Sequence, residues 1–170
     1  MRKLWFVVFI VSAFIFLLNS GCSQVNPVSK TEVNGQVVIP SSSCVTCACP
    51  DLNLCSGEEI PASNAQVTIV SENGQTVTTS TDSCGYYLVS LAENNSYLLY
   101  ASVGNMVVKQ AISSDMFLKN MTGLIANAYT TAQVILFEVA NQLYPGSLKI
   151  ADIQYLTPDQ DLQIAVKNAF

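Results

Sequence analysis

Residues 79–91 read T-S-T-D-S-C-G-Y-Y-L-V-S-L, and their reading decides the fold class. Tyr87, Val89 and Leu91 stand at alternate positions, the period of a strand with one buried face. Ahead of them, Asp82-Ser83-Cys84-Gly85 carries turn chemistry. Asp82 can cap the turn amides with its side chain, Gly85 can take a backbone angle closed to other residues, and Tyr87 then re-enters the core. The stretch reads as strand, tight turn, strand, a hairpin of an all-β domain. Asp82, Gly85 and Tyr87 are expected to specify the fold rather than form a site.

Strand signals continue on both sides. Upstream, Val33, Gly35, Val37 and Ile39 alternate until Pro40 ends the run, and Ala65, Val67 and Ile69 alternate before Asn73-Gly74, a dipeptide suited to a tight turn. Gln75 to Thr81 is the returning strand. Downstream, Tyr97, Leu99 and Ala101 share one side of a strand over 96–103, and Gly104-Asn105 turns the chain into 106–112. Six or seven short strands at spacings of about ten residues argue for a β-sandwich.

The order Gly35-x-Val37, Ala65-x-Val67-x-Ile69, Thr81-Asp82-x-x-Gly85-x-Tyr87-x-Val89 and Tyr97-x-Leu99-x-Ala101 resembles the carboxypeptidase regulatory-like domain. The resemblance covers residues 33–112 and implies an antiparallel seven-stranded transthyretin-like β-sandwich. Such domains serve as spacer, adhesion or accessory modules on extracellular proteins, and the resemblance implies no reaction. The chain departs from the family in a long insertion, residues 40–61.

That insertion holds Cys44, Cys47, Cys49 and Cys55, and Cys84 lies in the turn quoted above. In an oxidising compartment, clustered cysteines in a loop without its own apolar period staple the loop by disulfides. With consecutive strands antiparallel, the insertion and the 82–85 turn leave the body at the same end, so Cys84 is expected to pair with one loop cysteine. Two sharper readings compete. C-x-x-C-x-C-x5-C could offer thiolates to zinc or an iron–sulfur cluster, although the spacing is irregular for both. Cys44 and Cys47 could form a redox pair, although such pairs open a helix and this one sits among Ser and Pro. The disulfide reading is preferred, with no metal and no cofactor expected.

The N-terminus sets the compartment. Arg2 and Lys3 precede Leu4 to Leu18, a run interrupted only by Ser12 and shorter than the roughly 20 residues a spanning helix needs. Leu18-Asn19-Ser20-Gly21-Cys22 follows and resembles the bacterial lipoprotein lipobox, which implies acylation of Cys22 after removal of residues 1–21. The lipid would hold the body to a membrane outside the cytoplasm. Residues 22–32 read as a lipidated cysteine and flexible tether. Without Arg2 and Lys3 the remainder carries five Lys against twelve acids, net −7, a poor match for nucleic acid.

Beyond Ile112 the period changes to that of helices. Asn127 caps a helix to about Tyr144 whose stripe is Tyr129, Ala132, Leu136, Val139, Ala140 and Leu143, stopped by Pro145-Gly146. Ser147 starts a short turn through Ile153, and Thr157-Pro158-Asp159-Gln160 starts a helix to about Ala169. This helical region, 113–170, either packs on itself and on the sandwich or offers a docking face to a protein partner. The expected class is thus mainly β with a small helical appendage.

The chain contains no histidine. Histidine triads, H-E-x-x-H zinc peptidases and imidazole bases are therefore excluded. Glu58-Glu59 and Asp159-x-Asp161 lie on a loop and at a helix start, where ordinary solvation and the helix dipole account for them. The resulting expectation is a non-catalytic, membrane-anchored envelope lipoprotein with a structural, adhesive or accessory role. A glycan- or peptide-binding lipoprotein is the first alternative, and a metal or thiol-redox protein built on Cys44 to Cys55 is the second.

Overall fold

The computed structural model describes residues 28–40, 59–119 and 123–170. Cys22, Cys44, Cys47, Cys49 and Cys55 lie outside them, and so do the signal segment, residues 22–27 of the tether and most of the insertion. Strands β1 (Lys30–Pro40), β2 (Glu59–Pro61), β3 (Gln66–Ser71), β4 (Thr76–Ser80), β5 (Tyr86–Ala92), β6 (Tyr97–Val103) and β7 (Met106–Ile112) follow in order. A 3-10 segment, Ser114–Lys119, leads to β8 (Leu124–Ala126). Helix α1 (Ala128–Leu143), a second 3-10 segment (Ile150–Tyr155) and helix α2 (Gln160–Asn168) complete the described chain.

The strands form two four-stranded sheets. In the second sheet the order is β4-β3-β6-β7, all antiparallel neighbours. In the first, β1 pairs antiparallel with β5 over Lys30 to Gln36 and with β2 over Val38 to Pro40, and parallel with β8 over Gly35 to Val37. Val37 marks the handover between β5 and β2. Its N–H donates to the Gly85 carbonyl and its carbonyl accepts from Ala62 N–H, both at 2.9 Å. Because the N–H and C=O of one strand residue face the same edge, β5 and β2 share one edge of β1 and β8 takes the other.

Alternation places one face of each sheet on a common core. Val33, Val37, Tyr87, Val89 and Leu91 come from the first sheet, and Val67, Ile69, Leu99, Ala101, Val108 and Ile112 from the second. Tyr97 closes one end of this core. Its ring meets Phe117 edge-on at 6.2 Å, and its hydroxyl bonds both main-chain groups of Ala92.

The expected hairpin does not form. β4 and β5 belong to different sheets, so the stretch 79–91 is a crossover between them. Thr81 provides the physical reason. Its N–H donates to Ala65 C=O at 3.0 Å, and its hydroxyl accepts from Ala65 N–H at 2.8 Å while donating to Ala62 C=O at 2.5 Å. These bonds hold the end of β4 to the start of β3, and the next residues can only turn away.

The helical region differs from expectation in its faces and caps. Asn127 does cap α1, bonding Thr130 N–H at 3.0 Å while the Thr130 hydroxyl returns to Asn127 N–H. The buried residues of α1, however, are Ala128, Thr131, Ala132 and Val134, while Tyr129, Val139 and Leu143 of the expected stripe are exposed. The apolar stripe does not by itself choose the buried face. Here Thr130 and Thr131 choose it, because their hydroxyls bond the main chain of Lys109 on β7. The second 3-10 segment begins after Lys149 rather than Ser147, and Asp159 caps α2 in place of Thr157, accepting from Leu162 N–H at 2.7 Å. Val134, Ile150 and Ile153 pack with Leu98 and Ala111 on the outer face of the second sheet, and α2 packs on α1 through Val166 and Ala132. β8, which period reading does not foresee, ties this region back into the first sheet.

Candidate functional site

The crossover joins three segments at one point. Asp82 Oδ1 accepts from Cys84 N–H at 2.8 Å and from Tyr86 N–H at 2.9 Å, and Gly85 N–H donates to Asp82 C=O at 3.1 Å. Gly85 has φ +75°, and a β-carbon there would stand 2.6 Å from the Val37 carbonyl oxygen and 3.2 Å from Pro61 Cβ. Only glycine satisfies both constraints. Tyr87, paired with Gly35 across β1 and β5, is buried with its ring over Gly35, and its hydroxyl has no hydrogen-bond partner among the described residues. Burial holds that hydroxyl well above the usual phenol range.

Cys84 is disulfide-bonded. Its turn abuts Val37 and Pro61, where the chain leaves for the insertion and returns from it, and Pro40 and Glu59 are paired at the insertion's base. Cys84 C=O accepts from Gln36 Nε2 at 3.0 Å. The end of the molecule at which the insertion leaves the body is therefore built from the crossover, the end of β1 and β2.

The outer face of the first sheet runs up to this turn. Gln36 stands between Tyr86 on β5 and Ile125 on β8, and Asn34 stands opposite Leu88. Tyr86 is 38% exposed, Leu88 57% and Ile125 45%, whereas Gln36 is buried between its neighbours. A shallow groove of about 420 Å³ lies beside them, lined by Asn34, Ser80, Thr81, Asp82, Tyr86 and Leu88. The groove thus combines apolar and aromatic surface with amide, hydroxyl and carboxylate groups. Sequence reasoning passes over these residues because Tyr86-Tyr87-Leu88-Val89 is apolar at every position. The signal lies in that failure to alternate, since large apolar residues on the solvent side of a strand need an explanation.

A second polar cluster sits where α1 meets the second sheet. Lys109 Nζ is 2.6 Å from Glu138 Oε2 and 5.6 Å from the centre of the Tyr100 ring. The Tyr100 hydroxyl is shifted up by burial first and by the Glu138 carboxylate second. Half-exposed and mutually satisfied, these groups fasten the helix to the sheet. Asp159 and Asp161 occupy the cap and first turn of α2. Among the described residues, no group of three or more potential ligands could hold a metal.

No family model matches the chain, and no curated protein matches it. Among solved structures, one titled "Crystal Structure of S.CueP" is similar to it at 21% identity over 56% of this chain and 60% of that chain, with a TM-score of 0.36. The chain spans less than two thirds of that structure, and a likeness this slight carries no argument.

Proposed function

We propose that the chain is a non-catalytic lipoprotein of a bacterial cell envelope, anchored through an acylated Cys22 and facing outside the cytoplasm. Its β body is a structural, adhesive or accessory module that meets its partner through the outer face bearing Tyr86, Leu88 and Ile125. That face is the observation that carries the reading, because large apolar side chains left exposed on one face of a sheet mark an interaction surface. The lack of histidine supports a role without acid–base chemistry. The core shared by two sheets supports an antiparallel seven-stranded transthyretin-like sandwich over residues 33–112, the span that β1 to β7 occupy. The position of Cys84 supports a staple from the crossover to one of Cys44, Cys47, Cys49 or Cys55. A photo-crosslinker at Leu88 on intact cells is expected to trap a partner that the same probe at Gln142 does not. Equal recovery from both positions, or none from Leu88, overturns the proposal. Palmitate labelling that survives Cys22→Ala overturns the anchor.

The groove beside Asp82 and Tyr86 favours glycan or peptide binding as a second reading. Binding on a glycan or peptide array that disappears in Tyr86→Ala supports it, and an array without hits removes it. Stoichiometric zinc or five free thiols in the purified protein would favour the metal or thiol reading instead.

A further inference from the structure

The remaining surface of interest is the edge of the second sheet formed by β4. Thr81 N–H bonds Ala65 C=O and Ser71 N–H bonds Gln75 C=O, so the odd-numbered residues of β4 face β3. The N–H and C=O groups of Thr76, Thr78 and Ser80 consequently point away from the sheet. Other edge strands are capped at particular positions. On β7, Lys109 N–H and C=O are taken by the Thr131 and Thr130 hydroxyls. On β5, Tyr86 is closed by Asp82 and Ala92 by the Tyr97 hydroxyl. No described residue caps Thr76, Thr78 or Ser80.

Nor does β4 carry the usual deterrents. Residues 75–81, Q-T-V-T-T-S-T, include no charge and no proline, and the register with β3 is unbroken by a bulge. Val77, on the core-facing parity opposite Ile69, is still 36% exposed. In a chain of net charge −5, an uncharged strand is where two copies can approach without repulsion.

We infer that β4 is the site at which two copies of this chain pair, antiparallel about a two-fold axis at Thr78. In that register Thr78 meets Thr78 of the second copy, Thr76 meets Ser80, and Val77 meets Thr79, so hydroxyl pairs line one face and the half-exposed valine is covered on the other. The outward N–H and C=O groups of all three residues find partners, and the two sheets become one. A contact confined to one short strand is weak, with a Kd of order 10 µM or above.

Sedimentation velocity of the full chain over a concentration series is expected to show a reversible monomer–dimer equilibrium. Thr78→Pro removes only an outward N–H and leaves the β3 ladder intact, so the monomer keeps its melting temperature while Kd rises about tenfold or more. Thr78→Lys sets two ammonium groups against each other on the axis, and its weakened dimer recovers as salt is raised. A protein that stays monomeric at every concentration overturns the inference, as does a dimer that withstands both substitutions.

Discussion

The Tyr87 hydroxyl fills the space that a β-carbon on Gly35 would need, and among the described residues it finds no hydrogen-bond partner there. The two residues are cross-strand neighbours on β5 and β1, so the glycine of the first strand and the tyrosine of the crossover motif are one steric unit. The ring gains a buried site at the cost of leaving its polar end unsatisfied.

Gly35→Ala should therefore destabilise the fold by about 1–3 kcal/mol through overpacking. Tyr87→Phe should be near neutral or stabilising by about 1 kcal/mol, because it removes an unpaired buried hydroxyl. The double variant should recover part of the Gly35→Ala loss. Urea unfolding of the four proteins measures the coupling, and strict additivity would contradict the contact.

At the crossover, Gly85→Ala meets both a left-handed backbone and the Val37 carbonyl. A loss above about 2 kcal/mol is expected, larger than for Gly74→Ala, which shares the positive φ but has open space around it. Asp82→Ala gives up two turn bonds and should cost about 1–2 kcal/mol, with Asp82→Asn retaining much of that. Thermal unfolding that ranks Gly74→Ala as the more damaging change would refute this account.

Helix α1 is fixed to β7 by hydroxyls. Thr131→Val strands the Lys109 N–H and should cost about 1–3 kcal/mol, with faster hydrogen exchange at that amide ahead of global unfolding. Unchanged exchange at Lys109 would show that the helix is held by apolar packing alone.

Alkaline stability follows from the two raised tyrosines. Tyr87 and Tyr100 titrate above their ordinary value of 10.0 in the folded chain, so their contribution is whole below that pH and is lost as pH climbs beyond it, where the unfolded chain ionises first. The urea midpoint should fall from pH 9 to 11, and Tyr87→Phe should flatten the fall. An equally steep fall in the variant would assign the alkaline limb to other groups.

Some of this organisation is written locally and some is not. Asp82 and Gly85 act on amides within four residues, so their turn chemistry is legible from T-D-x-x-G itself, and Asn127 is legible as a cap for the same reason. Strand pairing is different. The alternate positions Tyr87, Val89 and Leu91 state that β5 buries one face, but the sheets that β4 and β5 join are settled by Thr81 reaching back 19 residues to Ala62 and 16 to Ala65. The face of α1 is illegible because it is set by Thr130 and Thr131 bonding Lys109 on a distant strand rather than by the apolar stripe, and three residues of β8 are too few to show a period. The exposed row on the first sheet escapes because Tyr86 and Leu88 look like core residues until the pairing with Gln36 and Asn34 gives them a side.

β1 is bordered by segments synthesised after it: residues 59–61 and 86–92 on one edge, and 124–126 on the other. A nascent chain holds its first strand in hand until residue 126 has emerged, and closure of that sheet is therefore a late, long-range event. The order of synthesis and the order of assembly are opposed, so a ribosome-released fragment ending before residue 124 should be recognised as unfinished by proteases even though most of its strands are present.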